Sequence, residues 1–544
     1  MDNAQTEHCA DGCSVSTKRS AIPYLHILAA EIWLACWTLC SRRQLRRLSL
    51  VCKRFRRICL PLLFRHQTIE TRFVPLKESN WVERLHSLHR AAVRLDSLRD
   101  SPHVGWVHSW NFGARKFLLP SETVVPHIGL IAPTHARLLN TFSTTLSLYH
   151  NLRSLDLWEL IIDAPFRQTF SELRRLENLA FYSCDIVARN GFVMSLRSFT
   201  ISAWAPISTA AEVLQEPLRI VAPEALHTLH LRAPDEIPSL LTAFGRAQFP
   251  HLVVLSWGHL SDLDIFLGFL AHCPALEVLK ITTFHPDIII SLPRYTLSPD
   301  TIPVLRDLTV CEEMLGFFPF NRPIATVTIL KDPPRPIPIL PPLVSWEYLT
   351  PAVLNDLLTA SVPLLSLSID KIVPTLELLT SIASLFPQLQ HLSIHLRVRK
   401  RRTHCHLGRR PPRRVSVDER YPVLRDADAF NDIPEDDLSD VEDSPPIARV
   451  RVPKELEASS SRSLQPDILS WICNGAAPLP QGIQVLRLIW NQHFSPAREH
   501  AVIAMLSYRY PHLRELEMER LILWARKGAL WRKSDTDSYL EVVL

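Results

Sequence analysis

The sequence predicts an α/β chain in which a small amino-terminal helical module precedes an irregular stack of short strands, broken late by a long charged insertion. Three observations carry this. The motif Pro-x-Leu-x-x-Leu-x-apolar recurs at Pro250-His251-Leu252, Pro274-Ala275-Leu276, Pro303-Val304-Leu305, Pro387-Gln388-Leu389 and Pro511-His512-Leu513. The segment Leu45 to Ile58 sets apolar residues on one helical face and arginines on the other. From Arg397 to about Gln465 a basic run meets an acidic block, with too little apolar surface to repay ordering.

Residues 1–20 read as a disordered tail and residues 21–64 as the helical module. Ala21 to Cys40 has the outline of a signal anchor, twenty mostly apolar residues between Lys18-Arg19 and Arg42-Arg43. Pro23, His26 and Glu31 interrupt it, and Leu28, Ile32, Ala35, Cys36 and Leu39 fall at helical spacing, so an amphipathic helix is expected and not a membrane span. Leu45, Leu48, Val51, Cys52, Phe55 and Ile58 continue an apolar face opposite Arg42, Arg43, Arg46, Arg47, Lys53, Arg54, Arg56 and Arg57. No aromatic residue interleaves the basic face, so nucleic acid is not the expected partner.

The run Leu28-Ala29-Ala30-Glu31-Ile32-Trp33-Leu34, with Leu48-Ser49-Leu50-Val51-Cys52-Lys53-Arg54-Phe55, resembles an F-box over Leu28 to about Phe64. Its spacing from Leu28 to Val51 fits that family's pattern without gaps; Ala29 stands where the family has proline. The resemblance implies three small helices that dock onto the Skp-type adaptor of a cullin-RING ubiquitin ligase. On it, Leu28, Ile32, Leu45, Leu48, Val51, Cys52 and Phe55 are the expected adaptor contacts, about half of which must also hold the module together.

Residues 65–145 read as a connector and cap. Val82, Leu85, Leu88, Ala92 and Leu95 predict a helix over Trp81 to Leu98, and Trp106, Trp110 and Phe112 are candidates for a first strand. Residues 146–396 hold most of the repeats. Looser copies without proline lie at Leu152-Leu155-Leu157, Leu176-Leu179-Phe181, Leu196-Phe199-Ile201, Leu226-Leu229-Leu231, Ile324-Val327-Ile329 and Leu364-Leu367-Ile369, and one more at Ile483-Leu486-Leu488; most steps are 19 to 30 residues. Alternate residues of a strand face one way, so the paired apolar residues point into a core that only stacking can close. In this pattern the chain resembles a leucine-rich-repeat protein. Of the Asn or Cys that family carries three positions on, only Cys184 is present, so an irregular solenoid is expected.

The outward positions predict a recognition ladder: Ser154, Asp156, Trp158, Asn178, Tyr182, Thr228, His230, Arg232, Lys280, His391, His395, Glu515, Glu517 and Glu519. Asp156, Trp158, Tyr182, His230, Arg232, Lys280, His391, His395 and the three glutamates are the expected target-binding set, the glutamates making one end acidic. The proline-dense run Lys331 to Pro342 reads as a loop. The insertion 397–465 reads as disordered, its arginines a candidate nuclear-import signal and Ser439 and Ser444 candidate phosphorylation sites. Repeats resume in residues 466–530, and 531–544 reads as a tail.

The net charge of +5 is mild, and 11 cysteines without paired spacing argue for a reducing compartment, cytoplasmic or nuclear. Cys9 with Cys13, Cys36 with Cys40, and His404-Cys405-His406 lack a second pair at zinc-site spacing. The 13 glycines include no Gly-x-Gly, and no nucleophile stands beside a base, so no catalysis, cofactor or metal is expected. Taken together, the chain reads as the non-catalytic substrate receptor of an SCF-type ligase, with an unidentified protein target. A ligase-independent leucine-rich-repeat scaffold or inhibitor is the alternative. RNA binding through the basic insertion is a third reading.

Overall fold

A computed structural model describes residues 29–71, 81–114, 128–203, 216–284, 297–318, 321–331, 349, 351–396, 468–490, 495–519, 522–528, 530–534 and 541–543. Leu28, the amino-terminal 20 residues, the prolines after Lys331 and the insertion from Arg397 lie outside them.

The described chain opens on three helices, α1 (Ala30–Trp37), α2 (Arg42–Ser49) and α3 (Lys53–Arg65). A reciprocal cap starts α2: Gln44 N–H donates to Ser41 Oγ at 3.3 Å, and Ser41 N–H donates to Gln44 Oε1 at 2.7 Å. Cys52 starts α3, its Sγ accepting from Phe55 N–H at 3.4 Å. Trp37, Leu45 and Cys59 are buried at the centre, with Trp33, Leu48, Phe55 and Ile58 packed around them. The Phe55 ring lies 4.6 Å from Trp37 and 5.6 Å from Trp33. This small core is separate from the main one.

From α3 the chain passes directly into His66–Thr71, the first strand of a 17-stranded sheet. Strands then add in chain order, all parallel: Ser109–Ala114, Ser154–Trp158, Asn178–Tyr182, Ser198–Ser202, Thr228–Arg232, Val254–Leu260 and Val278–Phe284. The series continues through Asp307–Cys311, Thr326–Leu330, Ser366–Ile372, His391–Leu396, Val485–Trp490 and Glu515–Glu519. Three antiparallel strands, Ile522–Lys527, Leu530–Ser534 and Glu541–Val543, finish an open sheet. The fold is thus mixed α/β, with a large parallel sheet and many helices.

Every repeat copy read in the sequence is one of these strands, and the copies pair position for position. Leu155 lies beside Leu179, Phe199, Leu229, Leu255 and Leu279 in turn. Both inward residues of each copy are buried, and so is the leucine-type residue ahead of the strand, as with Leu252, Leu255 and Trp257. The helices between strands add to the same core: Leu263–Leu270, started by Asp262 Oδ1 accepting from Ile265 N–H at 3.0 Å, contributes Leu263, Phe266, Phe269 and Leu270. A backbone ladder precedes the strands, running from Arg153 N–H to His108 O, Glu177 N–H to Arg153 O and Arg197 N–H to Glu177 O at 2.8 to 2.9 Å, and on to Arg514. Cys184 sits where the motif places it. Its thiol donates to Leu157 O at 3.3 Å, and burial pushes its pKa up to about 12.

Buried arginines tie neighbouring turns together. Arg322 donates to Phe318 O at 2.6 Å, Ser298 O at 2.7 Å and Thr301 O at 3.1 Å. Arg189 pairs with Glu236 and donates to Ser239 Oγ at 2.9 Å and Glu216 O at 3.1 Å. Nothing in the sequence spacing marks these residues.

Two boundaries differ from expectation. The connector 65–145 holds two strands of the sheet: Trp110 and Phe112 are buried in Ser109–Ala114, but His66–Thr71 comes before it, and Trp106 lies in a turn stacked 4.4 Å from His103. The expected helix does form, as Trp81–Arg99, with Leu88, Ala92 and Leu95 buried. The tail from 531 contributes strands, with Trp524 and Trp531 fully buried. Among the described residues, no helix is long and apolar enough to cross a membrane.

Candidate partner-binding surfaces

Of the expected adaptor contacts, Ile32 and Val51 face solvent, 48% and 65% exposed. Leu45 is buried, Leu48 and Phe55 are half-buried against the module's own core, and half-buried Cys52 caps α3, so they build the unit more than they present it. Leu28 lies outside the described residues. Three exposed leucines lie outside the expected contact set: Leu34 at 40%, Leu39 at 90% and Leu50 at 86%. Leu39, read at helical spacing with Ile32 and Ala35, sits instead in the turn after α1, and Leu50 sits in the turn after α2. Large apolar side chains left exposed on so small a unit make it a candidate interaction surface.

On the sheet's outward face, register lines up columns of side chains. One runs Asn111, Asp156, Ala180, Thr200, His230, Ser256, Lys280, and the next begins Gly113, Trp158, Tyr182, Ser202, Arg232. The Trp158 and Tyr182 rings stack at 3.9 Å and 15°. A Cβ at Gly113 would come within 3.1 Å of Trp158 Cβ, so glycine keeps room beside the indole. Asp156 is half-buried with no ion pair among the described residues, and burial pushes its carboxyl above the usual range. Burial and the Asp156 charge push the Tyr182 hydroxyl up, against the pull of Arg232.

Across the same face, burial, then Arg232 and Lys280, hold His230 below the ordinary histidine value, which leaves its ring neutral at pH 7. Arg232 and Lys280 are exposed and form no ion pair among the described residues. Four buried polar atoms here have no hydrogen-bond partner among the described residues: Asn111 Oδ1, Trp158 Nε1, His230 Nδ1 and Ser256 Oγ. Such groups are costly unless something completes them.

The remaining outward residues form a second group further along. His391 is exposed, and His395 Nδ1 lies 3.1 Å from Asp370 Oδ1, a hydrogen bond that holds the Asp370 carboxyl low. Glu515 and Glu517 flank Arg487 at 3.6 Å each, so the acidic end carries a built-in cation. Glu519 ends the last parallel strand. Sequence reasoning therefore named both groups but missed Asn111, Ser256 and Arg487, whose roles come from register with neighbouring strands.

Compared with known proteins, the chain matches no protein-family model and no curated protein.

Proposed function

We propose that the chain is the substrate-recognition subunit of an SCF-type cullin-RING ubiquitin ligase. In this reading α1–α3 are an F-box that docks onto a Skp-type adaptor, and the stacked strands are an irregular leucine-rich-repeat solenoid that holds the target protein. The observation that carries the reading is the exposed set Ile32, Leu34, Leu39, Leu50 and Val51 on a helical unit with its own core. Exposed apolar side chains on a small helical unit are what a partner groove buries.

The substitution at the family's proline position is mild in backbone terms. Ala29 has φ −59° and ψ 151°, angles that proline itself adopts. The chain catalyses nothing in this role; it raises the target's effective concentration beside the transfer enzyme. Its place of work is the cytoplasm or the nucleus.

Co-expression of the full chain with a Skp-type adaptor tests the proposal. A stoichiometric complex surviving gel filtration is expected. Target capture without adaptor binding would instead describe a ligase-independent repeat scaffold or inhibitor.

A further inference from the structure

We infer that the outward face between Asn111 and Lys280 reads an extended peptide at two points, a basic side chain at one end and an acidic side chain at the other. The inference rests on the proposed reading only in that the peptide belongs to the protein brought to the ligase.

At the first end, Asn111 and Asp156 are direct neighbours in register, on strands about 4.8 Å apart. Among the described residues Asn111 Oδ1 has no donor, and the Asp156 carboxylate has no ion-pair partner. Two residues along, on the same face, the stacked rings of Trp158 and Tyr182 offer π surface. Paired acceptors beside aromatic faces suit a guanidinium or ammonium group, which gains charge-assisted hydrogen bonds and cation–π attraction together.

At the second end the sign reverses. Arg232 and Lys280 bring two exposed positive charges to the flanks of a neutral His230 and a fully buried Ser256. Those unneutralised cations select an anionic side chain. The small residues Ala180 and Thr200 separate the two ends.

The register sets the spacing. Asp156 is three strands from His230 and five from Lys280, about 14 and 24 Å along the sheet. An extended chain advances about 3.4 Å per residue, so the basic and acidic residues of the ligand stand about four to seven positions apart.

The test uses the full-length chain and fluorescein-labelled 12-residue Gly/Ser peptides carrying one Arg and one acidic residue at every separation from one to nine. Fluorescence polarisation reads affinity. Binding is expected to peak at separations of four to seven, and Asp156→Asn to weaken it at least tenfold only for peptides that keep the Arg. Arg232→Glu with Lys280→Glu is expected to shift preference to a second basic residue. Those two side chains are exposed, so that variant folds even where others fail. Glu and phosphoserine series, run side by side against Gln, separate a carboxylate from a phosphate ligand. Affinity independent of separation, or equal for Gln and both anions, overturns the inference. Adaptor co-purification on the same preparations keeps the two ideas apart. Spacing-dependent binding without adaptor leaves the inference and removes the ligase reading; adaptor binding without spacing dependence does the reverse.

Discussion

Exchanging Leu50 and Val51 for aspartate probes the adaptor surface with little disturbance beneath it, since the two side chains are 86% and 65% exposed. Module stability is expected to move by no more than about 0.5 kcal/mol, as for surface substitutions generally. Burying such a side chain fully contributes about 1.5–3 kcal/mol, so docking that covers the exposed fractions draws about 3 kcal/mol from the pair. Its loss weakens the complex about a hundredfold, and two carboxylates left in an apolar groove add to that. Isothermal titration of purified adaptor against both proteins measures the change, with thermal melts as the folding control. Phe55→Asp is the instructive contrast: it also removes binding, but by unfolding, because the ring lies 4.6 Å from Trp37. If the Leu50→Asp, Val51→Asp chain kept its affinity within about threefold, the assignment of this surface would fail, because far more than that follows from losing about 3 kcal/mol.

Ala29→Pro is expected to stabilise the module by about 0.4–1 kcal/mol, because the backbone already holds proline's φ; amide exchange over residues 30–65 reads it. Arg322→Met removes the guanidinium that donates to the Phe318, Ser298 and Thr301 carbonyls, and a loss of about 3 kcal/mol or more in urea unfolding is expected. Asp156 has a raised carboxyl pKa, so the folded state binds its proton more tightly and ionisation above about pH 4 costs stability. Asp156→Asn is therefore expected to raise the melting temperature at pH 7, with the advantage gone at pH 3, while peptide binding falls.

The strands are legible in the sequence because each needs two inward apolar residues at alternate positions, with a third filling the turn ahead. His66–Thr71 breaks that signal. Its inward pair is Gln67 and Ile69, and Gln67 fills the slot that Trp110 and Leu155 take in the next strands. The glutamine is tolerated there because its amide donates to Phe64 O at 2.9 Å and accepts from Arg94 Nη2 at 2.8 Å, which no spacing rule anticipates. The same limit applies to the outward face. Trp158, Tyr182 and Arg232 are readable as alternate strand residues, but Ser256 matters because His230 and Lys280 flank it from other strands. Leu39 continues the helical period of α1 in the sequence, yet the helix stops at Trp37, so its place in an exposed turn is visible only once the helices are packed.

The junction between module and sheet gives the two surfaces a fixed relation. No linker separates them: α3 ends at Arg65, and His66 is already paired in the first strand. Arg65 O accepts from His108 N–H at 2.9 Å, and the Phe64 ring lies 4.8 Å from His103, so both sides of the joint are held from the next turn. The Asp156 strand is third from this edge, about 10 Å along the sheet, whereas Glu515 and Glu517 lie about 60 Å along it. In the proposed receptor role, which rests on effective concentration, every bond that narrows the range of target positions raises the useful fraction of encounters. The proposed peptide face built on Asp156, Trp158 and Arg232 thus combines polar groups unpartnered among the described residues with a short, bonded path to the proposed adaptor surface.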